Sequence, residues 1–132
     1  MTRFLLLLIF PFSSFSQHTP EAFIPEIVKQ FPNVRDIAVS PNGEDILFSA
    51  QSVMGNLSAI ITLSKIGNKW STPQVASFSG QFFDIEPFFS KDGLKLYYAS
   101  NRPLISTLND TKDFDISVCR AQSIKRPLVR AD

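Results

Sequence analysis

One cysteine and one histidine are all that the 132 residues contain, and these two scarcities close off much of enzyme chemistry. A lone thiol, Cys119, makes no internal disulfide. It lies in the strand-like run Ile116-Ser117-Val118-Cys119 and reads as a small buried hydrophobe. The lone imidazole, His18, sits in an N-terminal tail, so a Ser-His-Asp or Cys-His mechanism lacks a credible base. Gly-x-Ser-x-Gly, a phosphate-binding glycine loop and a Cys/His metal set are also missing. Asp110, Asp113 and Asp115 lack the glycine and terminal glutamate of a calcium loop and read as a solvated segment. No catalytic, cofactor-binding or metal-binding residue is therefore expected.

Charge of one sign is equally scarce. There are 13 basic and 12 acidic residues, for a formal net charge of +1. One of the basic residues is Arg3, and without it the remainder is balanced. Such a chain has no attraction for a polyanionic nucleic acid backbone and no cationic patch for a membrane surface.

Long hydrophobic runs are absent with one short exception, at the N-terminus. Met1-Thr2-Arg3 is a small positive segment, Phe4 to Phe10 is apolar, and Ser14 and Ser16 stand at the −3 and −1 positions before Gln17. That three-part order predicts a secretory signal peptide over residues 1–16. The apolar run is well short of the ~20 residues that a spanning helix needs, so no stable membrane span remains after cleavage. The expected location is the periplasm or the extracellular space. No cysteine stands at the cleavage point, which argues against a lipid anchor.

What is present is strand sequence. Thirteen Phe against two Tyr and one Trp suit strands with one buried face, and nine Pro argue against long helices. Residues 17–34 form a lead-in, in which Glu26 to Phe31 reads equally as one helical turn ended by Pro32 or as coil against the core. From residue 35 the chain is punctuated like a meander. Ile37-Ala38-Val39 is a short strand; Ser40-Pro41-Asn42-Gly43 is a tight turn; Ile46 to Ala50 returns. Ala59 to Ser64 is a third strand, and Gly67-Asn68 turns into a fourth over Trp70 to Phe78, which Pro73 confines to a sheet edge.

The pattern then recurs. Ser90-Lys91-Asp92-Gly93 lies 50 residues beyond Ser40-Pro41-Asn42-Gly43. At the same offset Glu86 matches Asp36, an acidic residue ahead of the strand, and Leu96-Tyr97-Tyr98 matches Ile46-Leu47-Phe48. Farther along, Pro127-Leu128-Val129 resembles Pro73-Gln74-Val75 after a longer loop. Units of ~40–50 residues, each a four-stranded meander, are the signature of a propeller blade.

The stretch from Asp84 through Ser90-x-Asp92-Gly93, Lys95-Leu96-Tyr97-Tyr98 and Ala99-Ser100-Asn101-Arg102 to Asp115-Ile116 resembles the repeat of TolB-like, WD40-like β-propellers of the exported bacterial type. Lys91 replaces the usual proline, which the first copy keeps as Pro41; Asn42 replaces the usual aspartate. Trp70-x-x-Pro73 resembles the segment that closes blades in such proteins, and the second copy lacks the matching Trp. The resemblance implies an all-β chain, an incomplete propeller of about two four-stranded antiparallel blades over 35–80 and 81–132, with a small β-sandwich as the alternative. It also implies a non-enzymatic module that meets an envelope protein, peptide or glycan, with self-association possible through open blade edges. The competing reading is the N-terminal propeller of a larger exported hydrolase or peptidase. In the repeat, Gly43 and Gly93 are expected at positive φ, and Asp84, Glu86 and Arg102 are expected to form an ion pair that ties a blade together.

Overall fold

The computed structural model describes residues 19–104 and 113–122. The expected signal peptide, His18, the loop with Asp110 and the Pro127-Leu128-Val129 segment lie outside the described residues. Among the described residues eight short strands make up two antiparallel sheets, preceded by one helical turn, α1 (Pro25–Val28). The first has the order β1 (Asn33–Val39), β2 (Asp45–Gln51), β3 (Ser58–Ile66) and β4 (Lys69–Trp70), with β5 (Gln74–Val75) also paired to β3. The second has the order β6 (Asp84–Phe89), β7 (Lys95–Ser100) and β8 (Asp115–Arg120). Among the described residues no helix is long and apolar enough to cross a membrane.

The two copies of the turn motif fold alike, down to individual hydrogen bonds. In the first, Ser40 N donates to Asp45 O at 2.9 Å and Gly43 N to Ser40 O at 2.8 Å; in the second, Ser90 N donates to Lys95 O and Gly93 N to Ser90 O, both at 2.9 Å. Each serine hydroxyl donates to the Asn42 or Asp92 Oδ1, at 2.6 and 2.5 Å, and accepts the amide of residue 45 or 95. Both glycines stand at positive φ, 71° and 70°, where a Cβ would be strained.

The hairpin registers also coincide at the offset of 50. Ala38 faces Leu47 as Phe88 faces Tyr97, and Arg35 faces Ser49 as Ile85 faces Ala99. In each, two residues then oppose one, which is a β-bulge. The acidic residue thought to precede the strand instead lies within it, in that bulge: Asp36 and Glu86 both have φ 56°. The strands are correspondingly longer than the apolar triplets that mark them. The expected fourth strand is not continuous, because the chain leaves β3 after Ser71, whose amide still donates to Ser64 O at 2.9 Å, and rejoins it for two residues only. Proline has no N–H to donate there.

Alternation gives each sheet two faces, and packing follows from it. One face of the first sheet presents Ala38, Leu47 and Ile60, which pack against Phe89, Leu96 and Tyr98 of the second. The half-buried Cys119 joins this intersheet core. The other face of the first sheet presents Ile46, Phe48, Ile61 and Leu63 and is covered by Ile24, Ile27 and Phe31 of the lead-in, with Trp70 at the side. Phe31 meets Phe48 edge-on, with ring centroids 5.3 Å apart. Each large side chain buried in this way stabilises the fold by roughly 1.5–3 kcal/mol. The lead-in therefore takes the helical alternative, one turn whose apolar side seals the sheet.

Candidate functional site

The repeat residues divide between the two ends of the sheets. At one end the turns Ser40–Gly43 and Ser90–Gly93 lie side by side, so that a Cβ on Gly93 would come within 3.4 Å of Pro41 Cδ. The Ser90 hydroxyl, then the Leu94 amide, hold the Asp92 carboxyl below the usual carboxylate range. Every one of these bonds stays within its own turn, so the shift there is the signature of a structural turn. Asn42 does the same work without a charge, its Oδ1 accepting from Glu44 N at 3.2 Å.

At the other end, where β6 begins and β7 stops, Asp84 is wholly buried. Its Oδ1 accepts from Arg102 Nη2 at 3.0 Å and its Oδ2 from the Ser79 hydroxyl at 2.7 Å. Ser79 in turn accepts the Ile60 amide at 3.0 Å, and Ser58 donates to the Asp84 carbonyl at 2.8 Å. The carboxylate thus links the second sheet to β3 of the first. Arg102 also donates to Phe78 O at 3.0 Å and, through Nε, to the Ser100 hydroxyl at 2.9 Å. Its guanidinium lies over the Tyr98 ring at 5.0 Å and the Phe82 ring at 5.5 Å. Burial raises the Tyr98 phenol above its ordinary pKa, against the pull of Arg102. Asn101 accepts the Phe83 amide at 2.8 Å.

Of the three residues expected to share an ion pair, the structure brings two together. Glu86 takes no part in the Asp84–Arg102 pair; its carboxylate is 3.9 Å from Arg35 and exposed. The reason is the bulge, which turns residue 86 out of the strand and points its amide at the Ser49 hydroxyl of the first sheet, 3.1 Å away. Trp70 packs on the Ile46–Phe48 side, and Pro73 marks the break between β4 and β5. The serines that complete the network, Ser49, Ser58 and Ser79, carry no signal in the sequence. Each is a small polar residue in or beside a strand, and only the folded chain shows it buried and bonded.

Beside this network opens a groove of about 530 Å³. Phe82, Phe83, Leu57 and Val75 give it apolar walls, and the amides of Asn56, Gln81 and Asn101 stand among them. None of its described lining residues is titratable. Such a surface suits stacking of a flat apolar group with hydrogen bonds at its rim. Among the described residues no group of three or more His, Cys, Asp or Glu is placed to hold a metal ion. No protein-family model, no curated protein and no solved structure matches this chain.

Proposed function

We propose that this chain is an exported, non-enzymatic interaction module of the bacterial cell envelope, built from repeats of the β-propeller type. One observation carries the reading: the two hairpins repeat at an offset of 50 in register, bulge and turn hydrogen bonds. Repetition at that level is what stacked blades require. The packing favours blades over a sandwich. In a sandwich the two inner faces form the core and the outward residues are polar. Here the outer faces are apolar too, with Ile46 and Phe48 on one and Ile116 and Val118 on the other.

The partner in this reading is an envelope protein, a peptide or a glycan. It would meet the groove lined by Phe82, Phe83 and Asn101, which the Asp84–Arg102 network holds from behind. The motif at the N-terminus supplies the compartment. Expression of the full chain in a Gram-negative host, followed by fractionation and mass spectrometry, tests it. A periplasmic protein beginning at Gln17 is expected; soluble cytoplasmic protein with Met1 intact overturns export. Binding is tested by sedimentation with purified peptidoglycan sacculi and with an outer-membrane protein extract, comparing the native chain with Phe83→Ala. Loss of retention in the variant supports the groove, and equal retention refutes it.

A further inference from the structure

The same strand face meets opposite fates in the two sheets. β8 pairs with β7 as β3 pairs with β2, at an offset of 56: Ile116 faces Ala99 as Ile60 faces Ser49, and Val118 faces Tyr97 as Thr62 faces Leu47. In the first sheet this face is covered by the second, and Ile60 is 0% and Ala38 8% exposed. In the second sheet, among the described residues, nothing lies over it. Ile116 is 74%, Val118 57% and Phe88 66% exposed. The face has also lost two hydroxyls that its counterpart carries. Ser49, which accepts the Glu86 amide, is matched by Ala99; Thr62 is matched by Val118; Ala38 is matched by the larger Phe88.

We propose that this face is a self-association surface, through which two copies of the chain pair about a two-fold axis. A contiguous apolar face on a soluble protein marks an interaction site, and this one carries Ala99 at the place where Ser49 makes its bond between the first and second sheets. It demands an apolar partner face rather than a further sheet seated by hydrogen bonds. A second copy supplies such a face. The assembly closes at two, because the matching outer face of the first sheet is already sealed by Ile24, Ile27 and Phe31, leaving no complementary site for head-to-tail growth. Charge sets the orientation. Lys95 and Arg120 are register partners at one end of the face, so an antiparallel arrangement keeps each cationic pair away from its counterpart.

The inference rests on burial and register alone, and it stands or falls separately from export and from ligand binding. Its test is light scattering behind size-exclusion chromatography, on the full chain as the host processes it, across a dilution series with reductant present so that Cys119 forms no cross-link. Twice the chain mass is expected. The double variant Ile116→Lys, Val118→Lys should give the mass of one chain with an unchanged far-ultraviolet spectrum, and Met54→Lys in an exposed loop should leave the dimer intact. Should the lysine variant fail to fold, Val118→Thr restores the residue type found at Thr62, and the dimer should then dissociate at a concentration at least about tenfold higher. A monomer at every concentration, a mass that climbs without limit, or a folded lysine variant that remains dimeric overturns the proposal.

Discussion

Replacing Arg102 by methionine removes the positive end of the side chain and keeps a stem able to lie on Tyr98 and Phe82. The change deletes the bonds to Asp84, Phe78 O and the Ser100 hydroxyl. Among the described residues it leaves a wholly buried carboxylate with Ser79 as its one remaining side-chain donor. Breaking a buried pair in this way costs about 3–5 kcal/mol. The Arg102 side chain is 27% exposed, so water reaches the vacated position and the lower figure applies, about 3 kcal/mol. With a urea slope of about 1 kcal/mol per molar for a domain of this size, the midpoint should fall by about 3 M. Arg102→Lys should lie between, because a lysine ammonium reaches the carboxylate without the fork that holds Phe78 O and Ser100 together. Asp84→Asn probes the other partner. Since each single change already breaks the pair, the double variant should cost less than the sum of the two by at least about 1 kcal/mol. Equilibrium urea unfolding followed by circular dichroism measures the four variants against the native chain. A cost below about 1 kcal/mol for Arg102→Met, or strict additivity in the cycle, would refute the view that this pair joins the sheets.

Three further outcomes are expected. Gly43→Ala and Gly93→Ala should each cost about 1–2 kcal/mol for the positive φ, and in thermal melts Gly93→Val should cost more than Gly43→Val, since only Gly93 faces Pro41. Asp92 has its native pKa depressed by Ser90 and Leu94; its contribution is therefore present above the ordinary aspartate value of about 3.9 and is lost as pH falls through the lower native value. Asp92→Asn should flatten that acid limb of the stability curve, and an unchanged limb would discount the turn bond. Burial raises the Tyr98 pKa, so its share of stability is intact below the ordinary phenol value and disappears as pH rises through the native one. In a Tyr97→Phe background, absorbance titration should show the remaining phenol ionising late, and in step with unfolding.

How far the sequence announces this structure depends on the kind of interaction involved. Asn42-Gly43 and Asp92-Gly93 are local signals, since the side chain bonds its own turn and the glycine takes the φ that others avoid; both turns are where the sequence puts them. The offset of 50 is legible for the same reason. The bulges are not, because Asp36 and Glu86 occupy positive φ without a glycine to mark them. An acidic residue at a matched position looks like part of an ion pair until the bulge turns Glu86 away. The Asp84–Arg102 pair has a motif to point to it. The groove beside it has none: Leu57, Val75 and Phe82 meet only after β3 and β5 pair and the second sheet docks.

The bulges have a consequence for solubility. β1 and β6 are the outermost strands on one side of their sheets, and a straight outer strand offers a row of amides and carbonyls to any passing chain. Each of these strands is broken at the same place by a residue in the left-handed conformation bearing a carboxylate. In β6 the next residue is Pro87, which has no N–H to offer. A foreign strand laid alongside would lose register after two residues and meet a negative charge. The chain is thus guarded against fibrous, strand-by-strand growth along that flank, and both hairpins carry the guard at the same place.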